Sequence, residues 1–336
     1  MLLLEPLWRP DGTCSALLAH LPAAELPRLA SALEETPLFG APCYWPAPAG
    51  SLPPGLPAIH SLEAVGPAGC DAPDTPRCLV PFGAPLPEQP FILTGLGDPG
   101  QLSTLQGRDA LVCGPWITAP LPRATPNPAQ PVLLELLGLI VRDAEVAELE
   151  RIFAKAPQLT INLLRLVNSV AMSSHRHTES LRQAIALLGR RQLQRWLQLL
   201  LYAEQYGAEA ALPPLFTAAA LRAKRMESWA LAGWLPGLSP DTAFLAGMLS
   251  LMDRLFGMPL AEVLASLPLP KGLQDGLLRG TGEVGEALEC MVSCEAGNVQ
   301  ALGERMIDRI DSHEHWMDCE VDAVSWALSL HGKVGR

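Results

Sequence analysis

The sequence predicts an α+β chain: a small α/β region followed by an all-helical one. Three observations predict it. By count, 24 of the 33 prolines fall within residues 1–130, a density that breaks helices and interrupts ladders. "PLPRATPNPAQP", Pro120 to Pro131, is Pro-rich and nearly free of apolar residues, so it reads as an extended boundary. After it, apolar residues recur at helical spacing and no strand is needed. The expected division is residues 1–121, a linker at 122–130, and a helical domain at 131–336.

In the first region, "CSALLAHL" and "AAELPRLASALEE" read as helical patches, and "FILTGLG" and "DALVCGPWI" as short buried strands. The stretch "GPAGCDAPDTPRC" reads as flexible. In the second region "VLLELLGLIV" is apolar on most sides and is expected to be buried. Asp143 is the expected N-cap of "AEVAELERIFAKA". Leu159, Leu163, Leu166, Val167 and Val170 form a helical stripe. "ESLRQAIALLG" is expected to end at Gly189, with "RRQLQRWLQLLLYAEQY" following at once. Ser239 and Pro240 open a further helix as cap and first residue. Trp196, Trp229 and Trp234 lie on predicted helices and are expected to pack inside.

Composition bounds the function. The chain is 336 residues long, 49% hydrophobic and 18% charged, enough for two cored domains. A formal net charge of -11 argues against general nucleic-acid binding. No apolar run approaches the ~18 residues of a membrane span, and Glu5 interrupts the apolar start, so neither a span nor a secretory signal is expected. The eight cysteines form no CxxC and read as reduced thiols of a cytoplasmic protein.

The candidate sites are few. His175 and His177, two apart between predicted helices, could touch a metal or phosphate beside Arg176, or belong to a polar connector. Cys290 and Cys294 share a helical face, and with His313, His315 and Cys319 could make a zinc site; the spacing matches no standard zinc pattern. Residues 141–225 carry 12 Lys/Arg against 7 Asp/Glu, a local basic excess that includes Arg165, Arg182, Arg190, Arg191, Arg195, Arg222, Lys224 and Arg225. It reads as a surface for an acidic partner or a nucleotide phosphate, or as a solvated helix face. No phosphate-binding Gly-rich loop and no nucleophile elbow appears.

The stretches "ELERIFAKAPQLTINLLRLVNSVAM", "SLRQAIALLGRRQLQRWLQLLL" and "AFLAGMLSLMDRLFGMPLAEVLASLPLP" resemble the HDOD domain, an all-helical relative of the HD phosphohydrolases that has usually lost catalysis. The Leu-Arg-x-Val-Asn-Ser motif is intact at Leu164 to Ser169. The family's Asp-Pro-x-Leu-Ser reads Ala156-Pro157-Gln158-Leu159-Thr160, without its acidic residue. The resemblance places Ser250 and Leu251 where catalytic relatives carry the metal-binding His-Asp, and Ala218 near an upstream histidine. Metal-activated water needs several such ligands.

"LEPLWRPDG" and "LQGRDALVCGPWITAPLP" resemble the first and last strands of an EAL domain, a TIM-barrel phosphodiesterase fold for cyclic di-GMP. The region lacks a Glu-x-Leu signature and is about half the length of an eight-stranded barrel. The resemblance implies a degenerate, shortened EAL-like region before a HDOD domain. The implied function is a non-catalytic bacterial signalling module without a cofactor. It would act through protein contacts, in cyclic di-GMP signalling, with homodimerisation as one form of contact. The alternatives are a nucleotide sensor and a residual metal-dependent phosphohydrolase.

Overall fold

The computed structural model describes residues 1–35, 42–46, 59–64, 78–119, 130–155, 159, 163–164, 181–203, 214–265 and 267–330. His175, Arg176, His177, the Leu164–Ser169 motif beyond its first residue, the stretch "GPAGCDAPDTPRC" before its last cysteine and the linker up to residue 129 lie outside the described residues. The chain is α+β. It divides into two compact units: residues 1–119 with 232–235 and 289–325, and residues 120–231 with 236–288 and 326–336. These units are not the two stretches into which composition divides the sequence, because a C-terminal segment joins the first unit.

The first unit is a closed β-barrel. Its strands are β1 (Leu3–Trp8), β2 (Cys14–His20), β3 (Cys43–Pro46), β4 (Ile59–Ala64), β5 (Cys78–Pro81), β6 (Phe91–Thr94) and β7 (Ala110–Val112), neighbours in that order. β2 to β7 run parallel, while β1 is antiparallel to both β2 and β7. Closure rests on one pair, Trp8 with Val112. Parallel strands need crossovers. Between β2 and β3 the crossover includes α1 (Leu26–Glu35), and between β6 and β7 a 3-10 segment, Pro99–Leu105.

"CSALLAHL" is therefore a strand and not a helical patch. Ala16, Leu17, Leu18 and Ala19 are all within 1% of full burial. A barrel strand covered on both faces reads as a continuous apolar run without a period. One face carries Leu7, Ala16, Leu18, Tyr44, Ile92, Leu111 and Cys113 as a single core. The other packs Trp8, Val80, Phe91, Leu93 and Val112 against Leu105 and Trp116. The two expected strands, "FILTGLG" and "DALVCGPWI", contain β6 and β7.

Barrel burial raises the thiols. Cys14 and Cys43 are pushed up to about 12 by burial. Cys113 rises well above the usual thiol value, through burial first and the Glu5 carboxylate second. Folding therefore favours the neutral thiol. That stability is fully present below the unfolded value near 9.0 and is lost as pH climbs toward about 12. Urea midpoints are expected to fall between pH 9 and 12, and to fall less steeply in Cys43→Ala. Equal slopes in the two proteins would contradict it.

The C-terminal segment of this unit holds the end of α10 (Gly282–Glu295), α11 (Val299–Met306) and most of α12 (His313–Ser329). It is bonded to the first strand and the residue before it. Trp316 Nε1 donates to the Leu2 carbonyl at 2.6 Å, and Leu4 N–H donates to the buried Glu320 carboxylate at 2.9 Å.

The second unit contains only helices among its described residues. They are α2 (Gln130–Val141), α3 (Val146–Lys155), α4 (Leu181–Ala203), α5 (Pro214–Leu231), α6 (Pro240–Leu249), α7 (Met252–Phe256), α8 (Leu260–Ala265), α9 (Lys271–Arg279) and the start of α10. Gly189 (φ 73°) breaks α4 into two helices where the sequence places a helix end. Ser239 caps α6, accepting from Thr242 N–H at 3.2 Å, with Pro240 first in the helix. Asp143 does not cap α3. It sits two residues earlier with a left-handed φ of 53° at the end of α2, and Glu148 caps by accepting from the Glu145 N–H at 3.2 Å. Trp196 and Trp229 in this unit and Trp234 in the first are all buried.

Candidate functional site

The polar chemistry of the helical unit gathers where α5 crosses α6. α5 is buried on most sides: its buried residues run almost unbroken from Leu215 to Trp229, Thr217, Arg222, Arg225, Glu227 and Ser228 among them. Such a helix must be covered all round. α6 meets it through Gly247, whose missing side chain lets it lie on the Ala223 backbone. A Cβ there would stand 2.5 Å from the Ala223 Cα. Tyr202 of α4 fixes the same region by donating to the Met248 carbonyl at 2.6 Å.

Five charged side chains form a network at this crossing. Glu227 is 2% exposed. It is paired with Arg195 of α4 and with Lys224 at 2.8 Å. Arg195 also reaches Asp241 at 3.1 Å, and Arg191 reaches Asp241 at 3.4 Å from a more exposed position. Two aromatic rings line the network. The Arg195 guanidinium lies 5.3 Å from the Phe244 ring centre and the Lys224 ammonium 5.8 Å from that of Trp326. The two rings meet edge to face at 5.9 Å.

One turn along α5, Arg222 donates to the Ser250 hydroxyl at 2.7 Å, and Ser250 donates to the Gly247 carbonyl at 2.7 Å. Ser250 is thus committed to a guanidinium and a backbone carbonyl. Leu251 beside it is 3% exposed and packs as an apolar residue. Ala218 stands one turn before Arg222 on α5 and is half-buried.

Of the basic residues singled out in the sequence, Arg191 and Arg195 join this network. The Arg190 side chain lies outside the described residues, as do Arg176 and both candidate histidines. Cys290 and Cys294 are buried on α10. His313 lies 4.0 Å from Glu25, while His315 is bonded to Asp311 at 2.9 Å. That His315 bond, and one from Trp234 Nε1 at 3.1 Å, hold the Asp311 carboxyl below its ordinary value. Among the described residues no three His, Cys, Asp or Glu side chains gather as a metal group. No helix of the described residues is long and apolar enough to cross a membrane. Sequence reasoning missed Glu227 and Asp241. The Lys224/Glu227 spacing, three apart on one helix, was the available signal.

A two-unit chain with a β-barrel and a helical unit built around a buried charge network is the class that the fold and site define. Residues 128–263 match the HDOD domain, a signalling-associated family. The chain is 27% identical over 173 residues to the uncharacterized protein YuxH of Bacillus subtilis (strain 168), covering 51% of this chain and 41% of YuxH. It thus spans less than half the length of that relative. Among solved structures it is similar to a candidate phosphohydrolase from Shewanella amazonensis SB2B, with 15% identity, a TM-score of 0.33, and 61% of this chain and 95% of the other covered. It is also similar to a HDOD domain protein of unknown function from Geobacter sulfurreducens, with 19% identity, a TM-score of 0.26, and 62% and 72% covered.

Proposed function

We propose that the chain is a non-catalytic signalling module that acts through protein contacts made by its HDOD domain. The observation that carries the reading is the Arg222–Ser250 hydrogen bond beside buried Leu251. The resemblance assigns a metal-binding His-Asp to the Ser250 and Leu251 positions. Here a fixed guanidinium charge lies against the first of them and an apolar side chain fills the second. A hydroxyl already bonded to Arg222 and Gly247 is a poor ligand, and leucine offers no lone pair. What the crossing retains is a rigid polar network with Arg191 and Asp241 at its outer edge, the pattern of a surface for a charged protein partner.

Residues 1–121 are, on this reading, a shortened EAL-like domain, and the module belongs to cyclic di-GMP signalling. Support comes from the first- and last-strand resemblances, now placed next to each other as β1 and β7 of a closed barrel.

The test is elemental analysis of tag-free protein, followed by phosphodiester turnover with added manganese, iron and nickel. Below about a tenth of an equivalent of metal and no turnover above buffer are expected. Near-stoichiometric metal with turnover lost in His175→Ala/His177→Ala would overturn the reading in favour of a phosphohydrolase. Saturable cyclic di-GMP binding without turnover would keep the non-catalytic part and add a ligand.

A further inference from the structure

The closed barrel has one seam where the side chains of a helix stand in for a strand. In the β1–β2 ladder Pro6 lies opposite Leu17. Pro6 has no N–H, and Leu17 gives its own to the Pro42 carbonyl at 2.9 Å. That pair therefore exchanges no bonds. Antiparallel pairs alternate, so Leu4, and Leu2 in line with it, also turn their N–H and C=O away from β2, toward the edge that β7 closes. β7 meets that edge at a single described pair, Trp8 with Val112. Leu2 and Leu4 are 2% and 0% exposed, so their backbone groups need partners other than bulk water.

α12 supplies them. Trp316 Nε1 donates to the Leu2 carbonyl, and the Leu4 N–H donates to Glu320 Oε1. The two side chains are four residues apart, so they leave one face of the helix a turn apart. Pro6, next along the same edge, has no donor to satisfy, and Trp8 after it has Val112. Indole, carboxylate, proline and strand thus follow one another along a single edge.

Packing alone does not explain the carboxylate. Trp316, Met317, Val321 and Val324 form a buried stripe on α12, and Glu320 stands in the middle of it. A carboxylate in an apolar stripe is costly unless it is bonded, and the group that bonds it here is a sheet-edge N–H. Trp316 is in turn oriented by stacking on Trp234, with ring centres 5.4 Å apart. The edge has the character that needs such cover. Leu2, Leu3, Leu4, Leu7 and Trp8 are apolar, and the one charge of the strand, Glu5, is taken up by His20 at 3.1 Å. No lysine stands on β1 to repel a second strand.

We propose that α12 is the guard of this edge: Trp316 and Glu320 take the ladder positions of an absent strand and so keep β1 from pairing with β1 of a second copy across a twofold axis. Light scattering over a concentration series, and hydrogen exchange at the Leu4 amide in dilute solution, test it on the full chain. Trp316→Phe/Glu320→Leu keeps a ring and apolar bulk but loses both edge bonds. Exchange at Leu4 is expected to be at least about tenfold faster than in the parent. By about 100 µM a species of twice the parent's mass is expected. Glu320→Gln, whose amide oxygen still accepts, is expected to match the parent in both readouts. Should the double variant not fold, Trp316→Phe alone is expected to show the heavier species, and its absence would count equally against the guard. Parent-like exchange in the folded double variant would overturn the proposal. So would a mass equal to the parent's at every concentration, or association of Glu320→Gln.

Discussion

Gly247→Ala is expected to destabilise the helical unit by about 2 kcal/mol, the net of two opposed effects. Alanine in a helix interior is favoured over glycine by ~1 kcal/mol. Against that, the new methyl would stand 2.5 Å from the Ala223 Cα, 2.7 Å from its nitrogen and 3.0 Å from the Arg222 carbonyl carbon. These are backbone atoms of a helix and cannot rotate aside, so α5 and α6 must part, and overpacking of this kind costs ~3 kcal/mol. For a unit of this size the melting temperature would drop by ~4–8 °C. Gly138→Ala is the matched control. Gly138 lies within α2 and its added Cβ would meet nothing within 4 Å, so a gain of about 0.5–1 kcal/mol is expected. A Gly247→Ala protein as stable as the parent would mean that the helices do not cross this closely. The Arg222–Ser250 bond, which bridges the same crossing, would then lose its support.

How much of this was legible in the sequence depends on how local each cause is. Ser239-Pro240 and Gly189 act within one turn of chain, and the structure has a capped helix and a break where they predict them. Asp143 shows the limit of local reading. Its residue type suits a cap, but it also tolerates a left-handed φ, and the chain uses that property to leave α2. The β2 run reads as helical in the sequence because a run buried on both faces has no period to find. The turn before it carried the stronger signal: "RPDG" between two apolar runs is hairpin chemistry, and Gly12 has the φ of 85° that such a turn uses.

Longer-range causes left little trace. Nothing near Glu320 indicates that its carboxylate receives the N–H of Leu4, 316 residues away. The proline boundary at 120–131 marks where one unit's first segment ends, yet it could not show that 289–325 rejoins that unit. At the site, Ser250, Leu251 and Ala218 are singled out by a resemblance in sequence order. That Arg222 would bond Ser250 follows from a helix crossing set by Gly247, which no local pattern encodes.

Glu227→Ala is expected to have the larger effect, about 3 kcal/mol of lost stability. A 2%-exposed carboxylate between Arg195 and Lys224 is what makes those two cations tolerable where they stand. Removing one partner of a buried ion pair usually costs 3–5 kcal/mol, because the remaining charge is stranded. The lower end applies here, since both cations keep about a fifth of their surface in water, at 20% and 22%, and can partly rehydrate. Glu227→Gln keeps the shape and an acceptor, so about 1–2 kcal/mol is expected. Urea midpoints of the three proteins would read the order directly, and a loss below about 0.5 kcal/mol for Glu227→Ala would show that the network is not what holds α4 to α5. Replacing Arg195, Lys224 and Glu227 together by apolar residues of similar size separates stability from function. Such exchanges are often neutral or stabilising, so the fold is expected to survive. If the network serves only to pack helices, the triple variant should still engage the proposed protein partner. If the charges are there to be recognised, that variant would be stable and inert, and Arg191 and Asp241 at the outer edge would be the next positions to change.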